Sequence, residues 1–247
     1  MKKIGFFDSG IGGLTVLHEA LQVLPHEDFI YFSDGKNTPY GNKPKEQIKR
    51  LTFDAVEFMV AKHPLKALVV ACNTATSIAI DDLRKRYDFP IIGMEPAIKP
   101  AIALAKSKRV LVFATELTLE EVKFKDLVAK FDTHKVIDYV PLQALVGIAE
   151  RFEFDEKTIL EYLEKQLVHL HLQEYGAVVL GCTHFPYFKN YFKQLFNVPL
   201  IDGNGGTVKR LISLLGENLN EGNGSVVYYI SKEETEAEVF EKYLALL

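Results

Sequence analysis

Cysteine is scarce in this 247-residue sequence, and Cys72 and Cys182 are the only two. Two cysteines within strand-like segments do not build a disulfide framework of the kind that small secreted proteins use. The sequence also lacks the Cys-x-x-Cys and His-x-x-x-His spacings that are typical of metal sites. These absences predict a protein of a reducing compartment, without a bound metal and without structural disulfides.

Long apolar runs and an excess of positive charge are absent as well. No run approaches the roughly 20 apolar residues that a membrane-spanning helix needs, and the sequence shows no signal peptide. The formal net charge of -4 provides no broad basic surface for nucleic acid. We therefore expect a cytoplasmic protein whose partners include neither a membrane nor nucleic acid, and the length allows one large domain or two.

Short apolar segments of strand character alternate with segments of helical periodicity along the whole chain. Ile4–Asp8 runs into the glycine-rich stretch Ser9–Gly13 and then into a helix, which predicts a strand, turn and helix unit. The polar loop Ser33–Asn42 is longer than packing requires and is typical of a binding loop. The alternation predicts an α/β fold with mostly parallel, doubly wound sheets, which bind ligands at the carboxyl ends of their strands.

Several local signals predict where individual elements begin and end. Ser77–Tyr87 is predicted as a helix, and the capping-box spacing of Thr118–Glu121 predicts a helix that begins there. Gly203–Gly206 predicts a turn before the helix that carries Val208. Ser225–Ile230 is predicted as the last strand, followed by a charged C-terminal helix.

Each cysteine stands directly after an apolar, strand-like run, Leu68–Ala71 before Cys72 and Ala177–Gly181 before Cys182. A thiol at a strand's carboxyl end, just before helical sequence, lies near unpaired backbone N–H groups, which favour the thiolate. An isolated free cysteine is as often a small buried hydrophobe. Two similar contexts favour two reactive thiols and indicate two similar lobes with a site between them.

Polar side chains accompany both thiols. Asn73, Thr74 and Thr183 offer donors for a carboxylate or an amino acid, and Ser9 with the glycine turn Gly10–Gly13 could form an anion nest. This turn has neither the spacing of the dinucleotide fingerprint nor the lysine of a nucleotide P-loop, so nucleotide binding is not predicted.

One histidine and two acids are further candidates. His184 lies two residues past Cys182, so in an extended segment it points to the same side and could assist that thiol. Asp8 ends an apolar strand. Taken alone, acids such as Asp8 and Glu150 are more often surface or capping groups than functional ones.

At these residues the sequence resembles bacterial glutamate racemases, of the cofactor-independent aspartate/glutamate racemase superfamily. Four motifs carry the resemblance and follow in the order of that family. They are Asp8-Ser-Gly-Ile-Gly-Gly13, Pro39-Tyr-Gly41 behind Asp34, Ala71-Cys-Asn-Thr-Ala75 and Gly181-Cys-Thr-His-Phe-Pro186.

The resemblance implies interconversion of L- and D-glutamate by two cysteines, without pyridoxal phosphate or metal. By the family's pattern, Cys72 would deprotonate D-glutamate with help from Asp8. Cys182 would deprotonate L-glutamate with help from Glu150 and His184, where Glu150 is placed by aligning Leu145–Glu150 with the family's acidic pattern. The substrate would be held by Asp8, Ser9, Tyr40, Gly41, Asn73, Thr74, Thr183 and His184.

The resemblance also implies the organisation and the cellular role. A discontinuous first lobe would comprise residues 1–95 and 207–247, and a second lobe residues 96–206, with the active site in the cleft between them. A homodimer is common in the family. The product D-glutamate would supply peptidoglycan synthesis, and with it cell-wall formation and cell shape.

Three alternatives remain at this point. The nearest is a racemase of the same superfamily that acts on aspartate or another amino acid. A second is a cysteine hydrolase that uses Cys182 with His184, in which Cys72 would be structural. A third is an amino-acid-binding sensor on the same fold, without catalysis.

Overall fold

The computed structural model describes residues 2–247, in which strands and helices alternate. The strands are β1 (Lys3–Asp8), β2 (Asp28–Ser33), β3 (Leu65–Val70), β4 (Ile91–Gly93), β5 (Arg109–Ala114), β6 (Ile137–Pro141), β7 (Tyr175–Leu180), β8 (Leu200–Asp202), β9 (Ser225–Ile230) and β10 (Glu233–Thr235). The helices are α1 (Leu14–Val23), α2 (Lys45–Lys62), α3 (Asn73–Arg86), α4 (Ile98–Leu104), α5 (Glu116–Glu120), α6 (Val122–Phe131), α7 (Gln143–Glu150), α8 (Glu156–Leu167), α9 (Lys189–Leu195), α10 (Asn204–Leu215) and α11 (Glu238–Leu244). Within residues 2–247, none of these helices has the length and apolar character to cross a membrane.

The chain forms two compact units. The first unit contains the residues up to Glu95 together with Asn204–Leu247, and the second unit contains Pro96–Gly203. The family resemblance places residues 204–206 in the second lobe, next to the turn that their glycines predict. They form instead the first turn of α10 and belong to the first unit.

The first unit is built on a six-stranded sheet of order β10-β9-β2-β1-β3-β4, in which every neighbouring pair is parallel except β9 and β10. The interior strand β3 is buried along its whole length, as expected of a strand covered on both faces. Helix α1 packs with α10 and α11, whereas α2 packs with α3. The predicted doubly wound, mostly parallel architecture is thereby confirmed for this unit.

The second unit repeats the arrangement on a smaller scale. Its four-stranded parallel sheet has the order β6-β5-β7-β8. Numbered within their own units, both sheets contain the strand order 2-1-3-4. The second strand is therefore added on one side of the first strand, and the third strand on its other side. In open α/β sheets, ligands bind where the strand order reverses in this way, outside the carboxyl ends of the first and third strands. The predicted likeness of the two lobes is therefore present in the strand order itself.

Two groups of polar contacts, one in each unit, secure the sheets away from the strands' carboxyl ends. In the first unit the buried Lys66 donates to the Glu27 carboxylate at 2.9 Å and to the Asn218 carbonyl at 2.8 Å. In the second unit Arg109 makes two hydrogen bonds of 2.5 Å to Asp138 on the neighbouring strand. These contacts tie together segments that lie far apart in the sequence.

Three local predictions are wrong. Helix α3 begins at Asn73 rather than Ser77, because Cys72 itself caps it. The capping residue near Thr118 is Thr115, whose hydroxyl accepts from the Thr118 N–H, and a separate helix, α6, begins at Val122. After β9 the chain turns back through two residues with positive φ and adds β10, so β9 is not the last strand. Ser-Lys is not the Asn-Gly signature of such a hairpin, which is why the sequence did not reveal it.

Candidate active site

Cys72 and Asp8 lie side by side at the carboxyl edge of the first sheet. Asp8 is the last residue of β1, and Cys72 follows the neighbouring strand β3 by two residues. Both side chains are almost fully buried, with Cys72 only 5% exposed. The two residues therefore occupy the position where the strand order reverses, as the sequence predicted for a ligand site.

The Cys72 sulfur is held at the N-terminus of α3. The Ala75 N–H donates to Sγ at 3.4 Å, and the thiol donates to the Ser9 hydroxyl at 3.5 Å. A helix N-terminus carries partial positive charge, and a backbone donor at the sulfur favours the thiolate further. Asn73 and Thr74 form the first turn of the same helix and are buried beside the thiol.

The glycine turn after β1 fixes the conformation of Asp8. The Gly10 N–H donates to Asp8 Oδ1 at 2.9 Å, and Tyr31 donates from its hydroxyl to the Gly10 carbonyl at 2.7 Å. A Cβ atom on Gly13 would lie 2.6 Å from Asp8 Cβ, which is closer than two carbon atoms can approach. The glycine is required here because α1 begins directly against the carboxylate, and the turn thereby presents Ser9 to Cys72.

The loop after β2 supplies Tyr40 and Gly41, which lie in a short 3-10 turn, Tyr40–Asn42. The buried Tyr40 hydroxyl donates to Asp34 Oδ2 at 2.7 Å, and Asn37 and Ser231 donate to Asp34 Oδ1 at 3.0 and 2.9 Å. Burial, and after it the Asp34 carboxylate, raises the pKa of Tyr40 far above its usual value. Tyr40 therefore remains a neutral phenol, held in place by a carboxylate that is itself fully engaged.

Cys182 stands at the corresponding place in the second unit, two residues beyond β7. The Gly181 N–H donates to the Phe113 carbonyl at 2.7 Å, and a Cβ on Gly181 would lie 2.7 Å from that same oxygen. Only glycine allows the end of β7 to approach β5 this closely. The thiol is 7% exposed, and Thr183 beside it is buried.

His184 joins Cys182 to Glu150 in one hydrogen-bonded array. His184 Nδ1 lies 3.8 Å from Cys182 Sγ, and Nε2 lies 2.6 Å from Oε1 of Glu150, the last residue of α7. Complete burial opposes a charged imidazole, yet the hydrogen bonds to Cys182 and Glu150 outweigh it and raise the pKa of His184 well above its usual value. His184 is thus kept positively charged by two partners. One is a thiol two positions away in the sequence, and the other is a carboxylate 34 positions away.

Comparison with known proteins identifies the family of the chain. Residues 15–211 match the family described as Asp/Glu/Hydantoin racemase. The chain is 51% identical over 251 residues to Glutamate racemase 2 of Bacillus subtilis, covering 99% of this chain and 94% of that protein. The chain belongs to the Asp/Glu/Hydantoin racemase family.

Solved structures of racemases show the same fold. Glutamate racemase isoform RacE1 from Bacillus anthracis superposes with a TM-score of 0.85 at 29% identity, covering 99% of this chain and 94% of that one. Glutamate racemase from Francisella tularensis, in complex with D-glutamate, gives a TM-score of 0.84 at 29% identity with the same coverage. The resemblance seen in the four sequence motifs is confirmed.

Sequence reasoning missed a pair of threonines at the edge of the second sheet. The register of β5 against β7 places Thr115 opposite Cys182 in the way that the register of β1 against β3 places Ser9 opposite Cys72. Thr115 and Thr118 are buried, with their hydroxyl oxygens 2.8 Å apart. A signal was present, because Thr115 follows an apolar strand directly, as Ser9 follows β1.

Gln143 is a second residue that the sequence did not single out. It opens α7 seven positions before Glu150, so both side chains lie on one face of the helix. Its amide nitrogen and oxygen are shielded from solvent and have no hydrogen-bond partner among residues 2–247.

Metal ligation is a separate question. Within residues 2–247, no group of three or more histidine, cysteine or acidic side chains is arranged so that it could hold a metal ion.

Proposed function

We propose that this protein is a glutamate racemase, an isomerase that interconverts L- and D-glutamate. Its near relative in Bacillus subtilis carries that name over 99% of this chain, and the similar Francisella tularensis enzyme is seen with D-glutamate. The observation that carries the proposal is the repeated thiol, Cys72 after β3 and Cys182 after β7, each at the reversal point of its own sheet.

In the proposed mechanism the two thiols act as acid and base on opposite faces of the α-carbon. The Cys72 thiolate removes the α-proton of D-glutamate, the electron pair remains on the substrate as a carbanion, and the Cys182 thiol delivers its proton to the other face. For L-glutamate the roles are reversed. No cofactor takes up the electron pair in this mechanism, so the developing charge has to meet donors that are already in position.

The surrounding residues then take distinct roles. Asp8 assists Cys72, while His184 with Glu150 sets the charge beside Cys182. The amino and carboxylate groups of the substrate are held by Asp8, Ser9, Tyr40, Gly41, Asn73, Thr74, Thr183 and His184. Support for these roles comes from burial and short contacts, for example the 3.5 Å between the Ser9 hydroxyl and Cys72 Sγ.

The D-glutamate formed would serve peptidoglycan synthesis in the cytoplasm of a bacterium, and through it the cell wall and cell shape. A strain that requires added D-glutamate tests this role. Growth without the supplement on expression of the wild-type gene is expected, and failure of an active enzyme to restore growth would refute the role while leaving the activity intact.

The activity is tested by following the α-proton of each glutamate enantiomer in deuterium oxide. The wild-type protein is expected to racemise both enantiomers and to place deuterium at the α-carbon. Cys72→Ala and Cys182→Ala are each expected to lose racemisation by about 100- to 10,000-fold, the range that one acid or base contributes. Absence of exchange in the wild type would indicate a sensor, and faster turnover of aspartate or another amino acid would change the substrate.

One observation favours a second candidate, a cysteine hydrolase. The array of Cys182, His184 and Glu150 has the nucleophile, base and acid order of cysteine-dependent acyl transfer, with separations of 3.8 and 2.6 Å. In that reaction Cys72 would have no chemical role. Full activity of Cys72→Ala on any substrate that Cys182→Ala fails to turn over would therefore favour the hydrolase and exclude the two-thiol mechanism.

A further inference from the structure

The segment that follows Glu150 contains a residue with strained backbone geometry, at a position where glycine would end the helix without strain. Helix α7 ends with the Phe152 N–H bonded to the Ala149 carbonyl at 2.9 Å and the Glu153 N–H to the Ile148 carbonyl at 3.0 Å. These two hydrogen bonds together define a Schellman motif. The first residue beyond the cap of such a motif adopts a left-handed conformation and is usually glycine. Here that residue is Phe152, with φ of +57°. Glycine would end the helix without the strain that a Cβ atom introduces.

The Phe152 ring has a specific partner. It meets Phe154 edge-on, with centroids 5.3 Å apart and planes at 86°. Phe154 in turn packs against Phe188 at 5.4 Å and Tyr187 at 6.2 Å, and its carbonyl accepts from the Tyr191 hydroxyl at 3.0 Å. Edge-to-face aromatic contacts are attractive beyond the area that they bury, and this one opposes the backbone strain at Phe152.

The aromatic contacts lead back to the catalytic histidine. Tyr187 and Phe188 belong to the 3-10 turn Phe185–Phe188, which begins immediately after His184. The Tyr187 N–H donates to the His184 carbonyl at 3.3 Å. Glu150 and His184 are thus connected in two ways. One is the direct contact of 2.6 Å between Glu150 Oε1 and His184 Nε2. The other is the series of contacts from the end of α7 through the aromatic rings to the 3-10 turn that follows His184.

We propose that Phe152 is a positioning residue for the acid and histidine that serve Cys182, holding the end of α7 against the turn that carries His184. The inference rests on the proposed racemase function. Phe152 touches no reacting atom, and it acts by fixing the approach of Glu150 to His184. Enzymes are sensitive to such placement, because an error of about 1 Å at a reacting group can lower the rate on the order of 100-fold.

Phe152→Gly separates positioning from helix termination. Glycine keeps the left-handed helix end and relieves its strain, so the variant is expected to fold with a thermal midpoint at or near that of the wild type. It removes the ring, so kcat is expected to fall about tenfold, and activity should decline at a lower alkaline pH than in the wild type. Phe152→Tyr, which keeps the ring, should restore both properties. Wild-type kcat and pH dependence in Phe152→Gly would overturn the proposal.

Two further measurements sharpen the test. Lys135→Gly changes another exposed residue with positive φ, at 54°, and should leave kcat and its pH dependence unchanged. In a Glu150→Gln background, Phe152→Gly should cause no additional loss, because both changes act on the same contact. Losses that multiply instead would show that Phe152 acts independently of Glu150 and would also overturn the proposal.

The charge on His184 provides a readout that needs no substrate. The titratable groups that bear on its ring are Glu150 and Cys182. In the substrate-free protein the His184 imidazole, assigned by NMR with a His184→Asn variant, should titrate at lower pH in Phe152→Gly than in the wild type. An unchanged titration would refute the positioning role, whereas an inactive wild-type enzyme would refute the racemase assignment instead.

Discussion

Glu150→Gln removes the charge that faces His184 while it preserves the shape of the side chain. The carboxylate oxygen lies 2.6 Å from Nε2, and only 14% of the side chain is exposed, so solvent screens the contact weakly. A hydrogen bond to a charged partner contributes about 1.5–3 kcal/mol, which corresponds to a loss of kcat/KM of roughly 10- to 150-fold if the imidazolium is needed for turnover.

The direction of the pH effect follows from the sign of the shift. The pKa of His184 is raised because its hydrogen bonds to Cys182 and Glu150 outweigh the opposing effect of burial. Without the carboxylate this pKa falls, so the imidazolium is lost at a lower pH. The alkaline limb of the activity profile should therefore move toward acid, while the acid limb stays in place.

The assay follows optical activity from both enantiomers, from mildly acidic to mildly alkaline pH. Because L- and D-glutamate have equal free energies in water, kcat/KM has to fall by the same factor in both directions, which provides an internal check. Glu153→Gln is the matched control, since that exposed carboxylate pairs with Arg151 on the surface. Wild-type kcat/KM and an unmoved alkaline limb in Glu150→Gln would refute the reasoning.

Three further predictions concern stability. Gly13→Ala should destabilise the protein by about 1–3 kcal/mol and lower its activity, because the new Cβ would press on the aspartate that ends β1. Gly206→Ala, with nothing within 4 Å of the new atom, should leave stability and activity intact. A larger loss of stability in Gly206→Ala than in Gly13→Ala would contradict this packing. Asp138→Asn should lower the thermal midpoint by about 2–4 °C at neutral pH. The ion pair with Arg109 lowers the pKa of Asp138, so its stabilisation is present above the usual pKa of a carboxyl group and is lost as the pH falls through the lowered pKa. The difference in thermal midpoint between Asp138→Asn and the wild type should therefore vanish in acid. Lys66→Met leaves the buried Glu27 carboxylate without its cation and should cost about 3–5 kcal/mol in denaturant unfolding; an unchanged midpoint would show that the pair is dispensable.

Local pattern in the sequence predicted much of the fold. A buried parallel strand is an apolar run that ends where polar residues begin, so the sequence revealed β3 and β7 together with the thiols that follow them. The parallel α/β class followed from the alternation of strand and helix. Prediction failed where one side chain decides a boundary, as with the cap at Thr115, or where two residues without a turn signature adopt positive φ, as in the hairpin between β9 and β10.

For the candidate active site, too, the sequence determined some features and the tertiary structure determined the others. By itself the sequence determined which thiols are candidates and that His184 lies beside Cys182, because those relations span two residues. Only the tertiary structure brought Glu150 to within 2.6 Å of His184 from 34 residues away, and Ser231 to Asp34 from 197 residues away. Periodicity records which face of an element is buried, whereas strand order and packing decide which distant elements meet. The charge on His184 depends on such a meeting, so it follows from the folded structure and not from the order of residues.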